Sequence, residues 1–569
     1  VAYYREGVAE ALSGEFVVVK ENRTEESTRR FTPGRIARIC VAVVALGLLL
    51  SGLGLRLWEL AHITLNADEA VVGLMADAVL RGHFMTFYWG QPYGGVEPYV
   101  ASGLFALFGH SAYVLTFTAT FLTACSTVAV YFLAKELFDR RPAAVAAVLA
   151  WIWPASALWN SAREYGFRCV TLLLGLIFMT IAARLVRAGS SPWRWIALGL
   201  TAGVGWWASP EMAYFVIPSA ILLVWATATA GKIWPSPARG AAVVIGVIAA
   251  AFGTLPWLLN NIAKGFTSLS NPPGVEVTQT YFGRLHTIWV ESVPMALGLR
   301  HPGTGNWVGG PQWGLTLCIV IGVVIVIGLI GTWLTSIQAG LPLTLFVALF
   351  TFLMASFPQS SYWNDGRYAI YLPPILAVIV VGGWEELLWS LRRAGHRRLV
   401  APFLSVCLLL SASGATLNAT LTLFPLHGEA MTLNPVGNHT AETVIKGLER
   451  HGVTRVIAHY WVAYDIDFLA AGKVIATPIS PIRVPIDKDK VYNTITVAWL
   501  FPGTSPHDQA VQFAGFATPS PSPLGIGYTK FASDLRGLGV AYKEFHVGPL
   551  VAIQIETVTG ARVVHLFTA

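Results

Sequence analysis

The sequence predicts a mainly α-helical, polytopic membrane protein of about eleven transmembrane helices with a C-terminal extracytoplasmic α/β domain. Three observations predict it. Of the 569 residues, 54% are hydrophobic and only 12% are charged, about half the charged fraction of a soluble domain. Apolar runs near bilayer length recur from Cys40 to Leu423. From about Phe424 they give way to short helix-like and strand-like segments in alternation, the pattern of a small α/β unit.

The apolar runs lie near 40–60, 112–134, 143–160, 170–186, 194–208, 213–230, 240–259, 313–333, 342–357, 368–388 and 400–423. The pair around Ser209-Pro210-Glu211 reads equally as one broken helix, and Tyr99–Phe108 is apolar but too short to span. Residues 1–38 read as a cytoplasmic tail with no cleavable signal peptide at its polar start. Residues 39–424 read as the transmembrane domain, with a first external loop at 61–111 and a long one at 260–312, and residues 425–569 as the external domain. In the latter, His439–Arg450 and Val462–Ala471 read as helices. Thr454–Ala458, Lys473–Ala476, Thr494–Leu500, Val540–His546 and Leu550–Ile555 read as strands.

Loop charge sets the orientation. Arg29, Arg30, Arg35, Arg38, Lys135, Arg140, Arg141, Arg184, Arg187, Arg194, Lys232, Arg239, Arg392, Arg393, Arg397 and Arg398 fall on one side, which the positive-inside rule makes cytoplasmic. The N-terminus is then inside, and an odd number of spans puts the C-terminal domain outside a plasma (cytoplasmic) membrane. The net charge of +7 is topological on this reading; no recognition motif accompanies it, so no nucleic-acid partner is expected. The five cysteines lie in or beside apolar runs without metal-ligand spacing, which argues against disulfides and zinc.

The other side collects the candidate chemistry. Asp68-Glu69 follows the first span. Asn66 with Glu69 three residues on reads as a capping box; Asp68, in the first helical turn, is placed to take a proton from an incoming hydroxyl. Gln91, Tyr93 and Glu97 belong to and follow the run Trp89-Gly90-Gln91-Pro92-Tyr93-Gly94-Gly95, a glycine-rich turn or a hydrogen-bonding loop over a sugar or lipid headgroup. Arg163-Glu164 and Arg168 read as a surface ion pair or as a cationic clamp on phosphate oriented by Glu164. Asp365-Gly366-Arg367-Tyr368 carries the same ambiguity, and Glu211 sits in a break between two short spans, where ionisable groups are functional candidates. His286 and His301 have no second ligand at metal spacing.

On Asp68-Glu69 in the first external loop, the Trp-Gly-Gln-Pro-Tyr-Gly-Gly run, Asp365-Gly366-Arg367-Tyr368 at a late span and an external C-terminal domain, the chain resembles the polytopic GT-C glycosyltransferases. The branch is that of the protein mannosyltransferases and aminoarabinose transferases, and the resemblance covers roughly residues 35–425. It implies transfer of a sugar from a polyprenyl-phosphate donor to an acceptor hydroxyl on the outer side, with inversion. It also implies Asp68 as general base and Glu69 as its support. Without a lysine near the first motif, the donor phosphate falls to Arg163, Arg168 and Arg367. Gln91, Tyr93, Glu164, Glu211 and Asp365 are the substrate-binding candidates. The acceptor is a glycan, glycolipid or protein. No metal site and no cofactor are required, since arginines stabilise a phosphate leaving group; the carboxylates still permit a divalent cation. A transporter or flippase is the alternative, and a structural assembly factor a third.

Overall fold

A computed structural model describes residues 33–62, 65–230, 237–269, 279–301, 305–357, 366–393, 400–423, 438–503 and 523–568. Most of the tail 1–38, part of the loop 260–312, the junction near 424–425 and the candidate Asp365 lie outside the described residues.

The polar punctuation explains where helices begin. The first helix, α1 (Pro33–His62), opens on proline, a residue suited to a first helical position. Asn66 starts α2 (Ala67–Leu80) with the expected capping box: it accepts from the Glu69 N–H at 3.1 Å, and Glu69 Oε2 accepts from the Asn66 N–H at 2.9 Å. Helix α3 (Glu97–Phe108) is the short apolar segment; Leu107 and Phe108 are exposed at its end. Ser111 caps α4 (Ala112–Leu137).

The expected span 143–160 is two helices, α5 (Arg140–Ile152) and α6 (Ala155–Asn160). Pro154 divides them, because a proline pushes the residue before it out of helical geometry, and Trp153 is extended at φ −134°, ψ 142°. Then come α7 (Arg168–Ala188), α8 (Pro192–Ala208), a 3-10 turn at Pro210–Met212, and α9 (Ala213–Ala230). Helices α10 (Pro237–Gly253) and α11 (Leu255–Ala263) form a pair bent by 57°. The long loop contains α12 (Tyr281–Thr287) and α13 (Val293–Ala296). Four long helices close the membrane part: α14 (Pro311–Thr335), α15 (Ile337–Ser356), α16 (Leu372–Arg393) and α17 (Val400–Leu423).

Each of the eleven expected apolar segments is thus helical or largely so. Among the described residues six stretches are long and apolar enough to cross a membrane unaided, in α1, α4, α7, Pro210–Thr229, α14 and α15, and the bent pair makes up to seven. Helices α16 and α17 carry shorter apolar stretches, Leu372–Gly383 and Ser405–Asn418. A multi-pass membrane protein follows. Its core joins Leu133, Leu149, Leu176, Phe215, Phe346 and Leu376, one from each of six helices.

The C-terminal unit is a three-layer α/β/α arrangement. Its helices are α18 (Asn438–Arg450), α19 (Tyr460–Leu469), α20 (Pro485–Tyr492), α21 (Tyr528–Gly537) and α22 (Gly560–Thr568). Its strands are β1 (Arg455–Ile457), β2 (Ile475–Thr477), β3 (Val497–Pro502), β4 (Tyr542–Val547) and β5 (Leu550–Ile555). The order is β2-β1-β3-β5-β4, with β1 parallel to both neighbours and β5 antiparallel to both of its own. Side chains alternate across β3: Ala498 and Leu500 pack toward α18 and α19, while Val497, Trp499 and Phe501 pack toward α20, α21 and α22. Every predicted strand and both predicted helices are present; α20, α21 and α22 are further helices that the sequence analysis did not identify.

The unit docks on the membrane part through α19. Tyr460, Tyr464 and Phe468 join the apolar cluster of α2 and α3. A Cβ added at Gly73 of α2 would lie 2.3 Å from Phe468 Cε2, so only glycine permits this approach. His110 ties the same elements polarly, meeting Asp77 of α2 at 3.0 Å and the Phe468 carbonyl at 3.1 Å.

Candidate functional site

The first turn of α2 presents its two carboxylates in opposite directions. Glu69 is 0% exposed and pairs with Arg163 Nη1 at 3.3 Å. Burial pushes its carboxyl above the usual range, and the Arg163 charge pulls it partly back. Arg163 itself stacks 4.6 Å from the Trp159 ring centroid. The Asp68 side chain is 28% exposed and faces a pocket. Its Oδ2 lies 3.8 Å from Arg367 Nη1, and its Oδ1 accepts from the Tyr460 hydroxyl at 2.6 Å. The Asp68 carbonyl accepts from the Tyr88 hydroxyl at 2.8 Å, which fixes the turn. Burial and the neighbouring Asp68 charge both raise the Tyr88 and Tyr460 phenols, so both stay protonated donors.

The pocket has a volume of about 170 Å³. Asp68, Arg168, Arg367 and Arg483 supply its charge, Gln91 its amide, and Tyr88, Tyr93, Tyr165, Phe167 and Tyr368 its aromatic wall. Three arginines and one carboxylate in an aromatic-walled cleft are suited to an anionic, partly apolar ligand. Arg168, at the first position of α7, lies 3.9 Å from Glu211 and over the rings of Phe167 and Tyr368 at 4.4 and 4.2 Å. Glu211 also accepts from Tyr371. Gly166 makes the turn into α7 at φ +83°, a conformation suited to glycine.

Glu164 and Glu97 are both 0% exposed and lie behind Arg168. Glu164 Oε1 accepts from the Gly166 N–H and Glu97 Oε2 from the Val170 N–H, each at 3.1 Å. Their remaining oxygens, Glu97 Oε1 and Glu164 Oε2, are buried without a hydrogen-bond partner. Burial raises both carboxyls above the usual range, and the Glu97 charge raises Glu164 further.

The structure therefore brings Asp68, Gln91, Tyr93, Arg168 and Arg367 to the pocket wall. Glu69, Arg163, Glu164 and Glu211 stand behind it as partners of the wall or of its supports. Tyr460 and Arg483 were missed as site residues. Tyr460 stood out in the sequence only within Tyr460-Trp461-Val462-Ala463-Tyr464, and Arg483 carried no signal. Among the described residues, no group of three His, Cys, Asp or Glu is placed to hold a metal ion.

Residues 95–257 match the profile of the dolichyl-phosphate-mannose-protein mannosyltransferase family. No protein of curated function matches the chain by sequence. Among solved structures, ArnT from Cupriavidus metallidurans in the apo state aligns over 91% of this chain and 97% of its own, with 11% identity and a TM-score of 0.53. The same protein bound to undecaprenyl phosphate aligns over the same shares at 14% identity and a TM-score of 0.48. The Archaeoglobus fulgidus oligosaccharyltransferase in the apo form aligns over 80% of this chain and 69% of its own, at 13% identity and a TM-score of 0.47. The chain thus has the fold of ArnT, and over residues 95–257 it is similar to the dolichyl-phosphate-mannose-protein mannosyltransferases.

Proposed function

We propose that the protein transfers a sugar from a polyprenyl-phosphate donor to an acceptor hydroxyl on the extracytoplasmic side of the membrane, with inversion. The observation that carries this reading is the single pocket in which Asp68 meets Arg168 and Arg367. ArnT, whose fold the chain shares, has been solved with undecaprenyl phosphate bound.

The acceptor oxygen attacks the anomeric carbon, the bond from that carbon to the phosphate oxygen breaks, and Asp68 takes the acceptor proton. The leaving lipid phosphate gains one negative charge. Arg367 and Arg168 face that charge from a site walled by aromatic rings, where guanidiniums act strongly. At 3.8 Å the Arg367–Asp68 contact is looser than a direct charge-assisted hydrogen bond. Glu69 holds the helix turn and Arg163 neutralises Glu69. Gln91, Tyr93 and the loop of Asp365 complete the substrate-binding set, the last on sequence grounds alone, while Glu164 and Glu211 support the wall from behind.

The test is transfer from a polyprenyl-phosphate sugar by the purified protein in proteoliposomes. Asp68→Asn and Asp68→Ala are each expected to lower the rate by about 10²–10⁴-fold while leaving the protein monodisperse. Full activity in both variants would sink the reading.

A further inference from the structure

Arg483 reaches the pocket from the C-terminal unit, between α19 and α20. Its surroundings differ from those of the other two pocket arginines. Arg168 faces Glu211 and Arg367 faces Asp68. Among the described residues Arg483 forms no ion pair; its partners are uncharged. Its Nη1 donates to the Gly90 carbonyl at 2.7 Å. With the Gln91 amide turned toward it, Gln91 Oε1 accepts from both Nη groups at 2.9 and 3.0 Å. The Tyr460 hydroxyl, beside this guanidinium, donates to Asp68 Oδ1. The Arg483 Nε–H is buried without a partner. Gly90, at φ +75°, lets the guanidinium lie against the backbone, since a Cβ there would meet Nη1 at 2.6 Å. These contacts fix the guanidinium without neutralising it.

The position relative to Asp68 assigns the charge it awaits. Arg367 stands at Oδ2 and Tyr460 at Oδ1, and the Arg483 guanidinium lies 6.0 Å from the Tyr460 ring centroid. In an inverting displacement the nucleophile and the leaving group occupy opposite faces of the reacting carbon. The base lies on the nucleophile's face, so a cation grouped with the base through Tyr460 is placed to meet the acceptor.

We propose that Arg483, with Gln91 and Tyr460, forms an acceptor subsite for a hydroxyl compound that carries a phosphate or carboxylate near its attacking oxygen. The subsite rests on the assignment of Asp68 as base and of Arg168 and Arg367 to the donor phosphate. It makes the C-terminal unit part of the substrate site, with Arg483 setting acceptor specificity.

The experiment uses the full chain in lipid nanodiscs and reads thermal stability with two probes. The first is undecaprenyl phosphate. The second is inorganic phosphate added over saturating undecaprenyl phosphate. In wild-type protein both probes are expected to stabilise. Arg483→Gln is expected to keep the lipid response and to weaken phosphate by about tenfold or more, with Arg483→Lys intermediate. Arg367→Gln is expected to lose the lipid response. If Arg483→Gln does not yield monodisperse protein, Arg483→Lys decides, with weakened phosphate and unchanged lipid binding expected. An Arg483 variant that loses the lipid response as Arg367→Gln does, or that binds phosphate as wild type does, overturns the subsite. An Arg483-dependent phosphate response with no lipid response in wild type overturns the donor assignment and leaves the anion site standing.

Discussion

At the residue scale, adjacent carboxylates on one turn have been given different environments. Glu69 is sealed under Arg163 and closes the capping box, while Asp68 looks into the pocket beside Arg367. The same division separates the arginines. Arg163 has 5% of its side chain exposed and Arg367 has 24%. Arg163→Gln strands a buried Glu69 carboxylate and is expected to cost about 3–5 kcal/mol of stability, read as lower Tm and yield. Arg367→Gln is expected to leave Tm unchanged and to lower transfer by about 10²–10³-fold, the usual effect of removing one donor from a developing oxyanion. The capping box was legible in the sequence because Asn66 and Glu69 are three residues apart. Arg163 as the partner of Glu69 was not, because 94 residues separate them and only the folded chain brings the turn after α6 to α2.

At the scale of elements, α2, α4 and α19 are held together by His110 as well as by apolar packing. Nδ1 faces the Asp77 carboxylate and Nε2 faces the Phe468 carbonyl, so both nitrogens need a proton. The hydrogen bond to Asp77 is the main cause that raises the imidazole above its ordinary value, against partial desolvation. A raised folded value means that the stabilisation is complete below about pH 6.5, the unfolded value. It is lost as pH rises through the folded value. The Tm difference between wild type and His110→Gln is therefore expected to be largest in mild acid and to shrink toward alkaline pH. An equal difference at all pH values would show that the ring acts by packing alone. Helix existence was readable from apolar runs, but the division of 143–160 at Pro154 was not foreseen. The docking of α19 was not, because Gly73 and Phe468 meet across the fold and neither marks the other in the sequence.

At the scale of the molecule, charge and chemistry separate to opposite ends of the same helices. Helix α4 begins beside His110 and the C-terminal unit and ends at Glu136, which pairs with Arg184 and Arg187 at the far end of α7. Helix α7 in turn begins with Arg168 at the pocket. The positive-inside rule assigns the basic end to the cytoplasm. Cysteines placed at the exposed positions Ala188 and Lys473 test this orientation. A membrane-impermeant maleimide applied to intact cells is expected to label Lys473→Cys and to spare Ala188→Cys; the reverse pattern would invert the topology.

The hydrogen bond from Tyr460 to Asp68 joins residues 392 positions apart. A ribosome releases the Asp68 segment into the bilayer long before it has made the phenol that completes it. The unfinished chain thus inserts without a finished pocket, and the late-made soluble unit acts as the closing piece. Any chain that stops before Tyr460 leaves Asp68 without its phenol donor, so the pocket closes only once the C-terminal unit is made.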